Sequence, residues 1–98
     1  MLKLTVSPEA AQWYIEEMDL EQGDHIRFYI SIYGQSVHPN YSLGIVKEKS
    51  NEMAIHTTVE GITFYFDQQD EWFLDGHKLL VEFNPQKGEV EFHYEKLT

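Results

Sequence analysis

From His25 to Tyr33 the side chains alternate without a break. Ile26, Phe28, Ile30 and Ile32 fall on one side, and Arg27, Tyr29, Ser31 and Tyr33 on the other. A helix would scatter such a set around its circumference, whereas an extended strand puts every second residue on one face. The middle of the chain is therefore committed to a sheet with one apolar side, and such a sheet needs another layer to cover it.

The remaining segments divide around that strand. Leu2, Leu4 and Val6 alternate with Lys3 and Thr5 and read as a short opening strand. Ser7-Pro8-Glu9 then carries helix-start chemistry: a capping hydroxyl, a proline suited to the first turn and an acid for the positive end of the dipole. Ala11, Tyr14, Ile15 and Met18 recur at helical spacing, with Trp13 beside the stripe and placed to dock on a sheet edge. Gly23 is the expected stop, so one long N-terminal helix over about 8–21 is predicted. After the 34–40 loop, Tyr41, Leu43 and Ile45 resume alternation, and residues 47–52 form a polar connector. Two hairpins follow, one turning at Glu60-Gly61 and one at Asn84–Gly88. Between them Asp67 opens a short helix over about 68–74, closed by Asp75-Gly76. The predicted architecture is α+β with β dominant. Its sheets are expected to be mostly antiparallel, because neighbouring strands are joined by short turns.

At 98 residues the chain is one domain, expected to span 1–98. Seventeen acids against seven bases give a net charge of −10. That balance argues against nucleic acid and anionic membrane surfaces as partners, since both are bound through Lys and Arg. No apolar run approaches a membrane span and no signal-peptide pattern opens the chain, so a cytoplasmic location is expected. There is no cysteine. Disulfides, thiolate nucleophiles and Cys-ligated zinc or iron–sulfur centres are thereby excluded for these residues.

The order of elements and three stretches resemble the HesB-like, or A-type iron–sulfur carrier, family. The stretches are Leu4-Thr5-Val6-Ser7-Pro8-Glu9-Ala10-Ala11; Ile26-Arg27-Phe28 through Tyr33-Gly34-Gln35-Ser36 with Tyr41-Ser42-Leu43; and Phe73-Leu74-Asp75-Gly76. The resemblance implies the HesB-like fold and, in members that carry iron or clusters, three cysteine ligands: one in the central loop and two in a Cys-Gly-Cys tail. In this sequence the loop position falls at Ser36, and the residues end at Leu97-Thr98 just after the last strand. A hydroxyl is a harder donor than a thiolate and far less acidic, so Ser36 does not replace the ligand. Fold carries over while thiolate chemistry does not. Family members self-associate, so the resemblance also implies a homodimer.

The candidate site is the Gly34–Tyr41 loop, with Ser36, His38, Asn40 and Tyr41. Read functionally, His38 is the centre of a hydrogen-bonding or metal-binding cluster; read structurally, it belongs to a polar loop organised around Pro39. One histidine without a second ligand at defined spacing favours the latter, and no metal or cofactor is assigned. His25, His56, His77 and His93 show no paired spacing and are read as structural or surface residues. Asp67, Asp70, Glu71 and Asp75 each have a local role in a cap, a first turn or a turn. Tyr29 and Tyr33 share the face opposite the isoleucines, and with Tyr65 they are candidates to line either an exposed interface or a second buried face. Glu16, Glu17, Asp19 and Glu21 crowd the end of the long helix, where the dipole disfavours them. A solvated face is the commoner reading of such acids; if a partner protein docks there, it is expected to be basic and to bind less well in salt.

No nucleotide loop, nucleophile elbow or catalytic motif occurs, and the chain is not expected to be an enzyme. The reading is a non-enzymatic HesB-like protein without thiolate ligands that acts through contact with another protein. The alternative is a small-ligand or metal-binding protein using the Gly34–Tyr41 loop. Anaerobic incubation with iron and sulfide is expected to leave no thiolate-type absorbance after desalting; a stable cluster retained by the protein would contradict this reading.

Overall fold

The computed structural model describes residues 3–31 and 42–97. Its elements run β1 (Leu4–Val6), α1 (Pro8–Met18), β2 (His25–Ser31), β3 (Ser42–Lys47), β4 (Met53–Val59) and β5 (Ile62–Asp67). A 3-10 helix (Gln68–Leu74), β6 (His77–Asn84) and β7 (Glu89–Lys96) complete the order. Two sheets result, one ordered β1-β6-β7 and the other β3-β2-β5-β4.

The fold is β-dominant α+β as expected, but its sheets are mixed rather than mostly antiparallel. The β2–β3, β4–β5 and β6–β7 ladders are antiparallel, while β1–β6 and β2–β5 are parallel. Short turns fix the direction of sequence neighbours. The two parallel ladders join strands far apart in the chain, whose direction is set by crossovers that local patterning does not report.

Helix α1 is also shorter than the predicted 8–21, with eleven residues. Its start is as expected: Ser7 Oγ accepts from the Ala10 N–H at 3.1 Å and Pro8 occupies the first turn. Its end comes at Asp19, which takes the left-handed conformation (φ 53°) that glycine more often supplies. The Leu20 N–H then donates to the Ile15 carbonyl at 3.0 Å, closing the last turn and directing Leu20 into the core at 7% exposure. Gly23 lies beyond this stop, and its N–H donates to the Gly61 carbonyl at 2.8 Å.

The remaining boundaries follow turn chemistry. Glu60 and Gly61 both take positive φ (54° and 79°), as a two-residue hairpin with matching twist demands. Asn84 Oδ1 accepts from the N–H groups of Gln86 and Lys87 at 3.0 and 3.3 Å, shaping the second hairpin. Asp67 caps the 3-10 helix, and Asp75 and Gly76 end it with positive φ.

A single core joins both sheets and α1. Ile26 and Phe28 of β2, Ile62, Phe64 and Phe66 of β5, and Leu79 and Val81 of β6 are fully buried. The Phe28 ring lies 5.5 Å from Phe66 and 6.3 Å from Phe64, and it meets Phe92 of the other sheet edge-on at 6.0 Å. Tyr14 of α1 reaches Phe64 at 5.8 Å, which seats the helix on the same cluster. Trp13 stands edge-on to Tyr14 at 5.3 Å and is partly buried at the core's margin. Because Phe28 links the two sheets, Phe28→Ala is expected to cost about 3–5 kcal/mol in urea unfolding. A loss below ~1 kcal/mol would show that the inter-sheet ring contact is dispensable.

Candidate functional site

Alternation along β2 sends Arg27 and Tyr29 to the face opposite the core, where Tyr65 of β5 joins them through the Arg27–Tyr65 pairing. In an ordinary two-layer protein this face would meet water. Here Tyr65 is fully buried and the Arg27 side chain is only 16% exposed. The cover is the polar connector between β3 and β4. Those strands lie at opposite edges of the sheet, so Glu48–Glu52 must cross both β2 and β5. Three strand spacings amount to about 14 Å, and five extended residues reach roughly 17 Å, so the crossing runs nearly taut.

The crossing is pinned at each step. The Glu48 N–H donates to the His25 carbonyl at 3.1 Å, and the Tyr65 hydroxyl donates to the Glu48 carbonyl at 2.6 Å. Ser50 Oγ donates to Asp67 Oδ2 at 2.6 Å, and the Gln68 N–H donates to the Glu52 carbonyl at 2.9 Å. Arg27 ties this cover to the 3-10 helix. Its Nη1 donates to Glu48 Oε2 at 2.8 Å and its Nη2 to Asp70 Oδ2 at 2.7 Å. Nε is buried without a hydrogen-bond partner among the described residues. Both ends of the guanidinium fork are committed, so Arg27 acts as an internal strut rather than as an anion receptor.

The electrostatics follow from these contacts. Burial, with the Glu48 carboxylate nearby, raises the Tyr65 phenol above its ordinary value. The Ser50 hydroxyl, then the Gln69 N–H and the Arg27 charge, hold Asp67 below the usual carboxylate range. Asp24 is lowered by the Glu21 N–H and then by Lys47. Glu91 is lowered chiefly by the Asn84 amide.

Ser36, His38, Asn40 and Tyr41, together with Tyr33, lie outside the described residues. On their flanks the β2–β3 ladder closes with Ser31 opposite Ser42. Of the tyrosine set, Tyr29 is 38% exposed and Tyr65 is not exposed at all. Tyr29 is thus accessible, while Tyr65 belongs to a second buried face, the alternative reading of this set, where the crossing covers its ring. Tyr29 pairs with Gly44, where an added Cβ would clash with the hydroxyl-bearing edge of the tyrosine ring, so the glycine is what lets that ring lie over β3. Exposed Val46 belongs to the same outer face.

The remaining histidines are spread apart. His25 stands 6.3 Å edge-on from Tyr65, His77 Nδ1 lies 3.1 Å from the Leu74 and Asp75 carbonyls, and His93 lies 3.5 Å from Glu91. Among the described residues no group of three His, Asp or Glu side chains is placed to hold a metal ion. Asp67 caps and Asp70 lies in the first turn as read from sequence, and Asp70 is in addition the carboxylate that anchors Arg27. Sequence reasoning missed this network. The available signal was Phe64-Tyr65-Phe66, three aromatics in succession, a run that suits a strand buried on both faces.

Residues 2–96 match the family model described as iron-sulphur cluster biosynthesis. The chain belongs to that family. It is a divergent member, because none of its 98 residues is a cysteine. The chain is 37% identical over 95 residues to a protein of Bacillus subtilis (strain 168) named pyruvate dehydrogenase inhibitor, covering 96% of this chain and 100% of that protein. It is 23% identical over 97 residues to an uncharacterized protein of Staphylococcus saprophyticus, covering 93% of this chain and 97% of the relative. No solved structure matches it. Among the described residues no helix is long and apolar enough to cross a membrane.

A carboxylate held below its ordinary value adds stability that is fully present above about pH 4 and is lost as pH falls through the depressed folded-state value. Asp67→Asn keeps an acceptor for Ser50 but cannot titrate. Its acid unfolding curve is expected to be shallower than the parent's below about pH 4, with Asp24 and Glu91 supplying the remaining slope. Parallel acid limbs would show that Asp67 does not couple the crossing to pH.

Proposed function

We propose that this protein is a non-enzymatic, thiol-free HesB-like regulator that inhibits pyruvate dehydrogenase by direct contact. The observation that carries the reading is the full-length similarity to the relative of that name, at 37% identity with neither chain overhanging appreciably. At that similarity, spread over all elements of a single domain, fold and surface are inherited together more readily than fold alone. The absence of cysteine supports it from the other direction. A carrier that hands on iron–sulfur clusters needs soft donors, and these residues contain none.

A protein target also suits the charge. At −10 the chain repels phosphate backbones and anionic lipid, while a basic surface on an enzyme complex would attract it. A cytoplasmic location is part of this proposal. Tyr29 and Val46, exposed on the outer face of the β2–β3 ladder, offer an apolar contact of the kind that interfaces use. Self-association of the chain as a homodimer remains compatible with one free docking face.

The test is direct. Purified protein is titrated into the pyruvate dehydrogenase complex of the organism that encodes it, and NADH formation is followed. Inhibition that rises with concentration, saturates near stoichiometric amounts and weakens with added salt is expected. Unchanged turnover in the presence of a large molar excess would overturn the proposal.

A further inference from the structure

One of the acids of α1 singled out in the sequence, Glu16, acquires a setting in the folded chain. Glu9, Gln12, Trp13 and Glu16 follow one another at i, i+3, i+4 and i+7, so they share one face of α1. That face borders a groove of about 420 Å³, closed on the other side by Phe83 of β6 and by Glu60 of the β4–β5 turn. The volume lies in the range of small-ligand sites (~300–1,000 Å³), room for a side chain or two rather than for a helix. Trp13 and Phe83 are both partly buried and supply the apolar walls. Three glutamates supply the rim, and no lysine or arginine lines the groove.

These carboxylates are also unneutralised. Each described lysine or arginine that forms an ion pair does so elsewhere: Lys3 with Glu71, Arg27 with Glu48 and Asp70, Lys47 with Asp24, Lys78 with Glu95 and Lys87 with Glu91. Glu9, Glu16 and Glu60 make no ion pair among the described residues. An aromatic wall beneath uncompensated negative charge is complementary to one chemistry above others, a cation with a flat or aliphatic body.

We infer that the Trp13–Phe83 groove is the docking site for an arginine-bearing segment of the protein target. This deepens the contact reading of the preceding subsection and rests on it for the partner being a protein. Arginine fits better than lysine. Its planar guanidinium stacks on an indole and spreads five donors in a fork, and the acids of the rim stand apart, with Glu9 and Glu16 about 10 Å distant along the helix. The acids also give the association its long-range attraction, which salt would screen.

Trp72→Phe leaves Trp13 as the sole indole, since the chain has two tryptophans, and Trp13 emission then reports the groove directly. This protein is titrated with a blocked pentapeptide carrying two arginines and with the same peptide carrying citrulline, the neutral isostere. Saturable change in Trp13 emission is expected with the arginine peptide, with about fivefold weaker binding for citrulline. Adding Glu16→Gln and Glu60→Gln, both exposed positions, is expected to weaken the arginine peptide to the citrulline level. No spectral response, or equal response to both peptides, overturns the inference.

The same double glutamine variant, carrying Trp72, is assayed against pyruvate dehydrogenase. A loss of inhibitory potency supports the groove as the docking site. Undiminished potency overturns it while leaving the inhibitor reading intact. Should the parent protein itself fail to inhibit, the inhibitor reading falls, and with it the assignment of the groove to that target; the peptide titration still reports whether the groove selects arginine.

Discussion

The crossing of Glu48–Glu52 over the outer face of β2 and β5 is the constraint around which the larger sheet is arranged. A parallel pair at the centre of a sheet needs cover on both faces. One face is covered by the Phe28, Phe64 and Phe66 rings. The other is covered by residues 48–52, which are themselves largely exposed and turn only their inward polar groups toward Tyr65, Arg27 and Asp67. That cover holds only if its donors and acceptors are satisfied, because an unpaired buried polar group costs about 1–3 kcal/mol. The Tyr65 hydroxyl, the two Nη groups of Arg27, Ser50 and Asp67 meet that requirement in succession along the strap, with Arg27 Nε the exception among the described residues. The network is thus a condition for the topology as well as a product of it.

The same arrangement separates this chain's architecture from its family's chemistry. Family membership speaks to the fold, and a fold hosts whatever site its loops and surfaces carry. Cluster transfer depends on a few soft donors at the ends of rigid elements, and their removal leaves the sheets untouched. A scaffold without those thiolates still presents a shaped, strongly acidic surface. Such a surface is suited to steering encounters with a basic protein partner.

Much of the framework was legible before folding. The break-free alternation at Ile26–Phe28, the Ser7-Pro8 start, the Glu60-Gly61 hairpin and the Asp67 cap are all local signals, each set by interactions within a few residues. Reading failed where a local default was replaced by another residue or by distant chain. Asp19 took the left-handed stop expected near Gly23, which shortened the helix. The parallel ladders involve strands that are not sequence neighbours, and Tyr65 was buried by a connector that looks like any polar loop. Of the candidate site, the Ser36–Tyr41 residues lie beyond the described structure, while the Arg27–Asp70 pair joins residues 43 positions apart and has no local signature.

Composition and periodicity by themselves settled the class: a cysteine-free, acidic, β-dominant domain whose strands and turns are written in patterns of two and in capping residues. Those features depend on bond geometry and nearest neighbours, so they need no knowledge of the rest of the chain. Tertiary structure alone decided which strands meet in parallel, which tyrosine is sealed and which glutamates gather around Trp13. These outcomes depend on where a taut five-residue crossing and an eleven-residue helix come to rest, and only the packed chain brings such distant residues together.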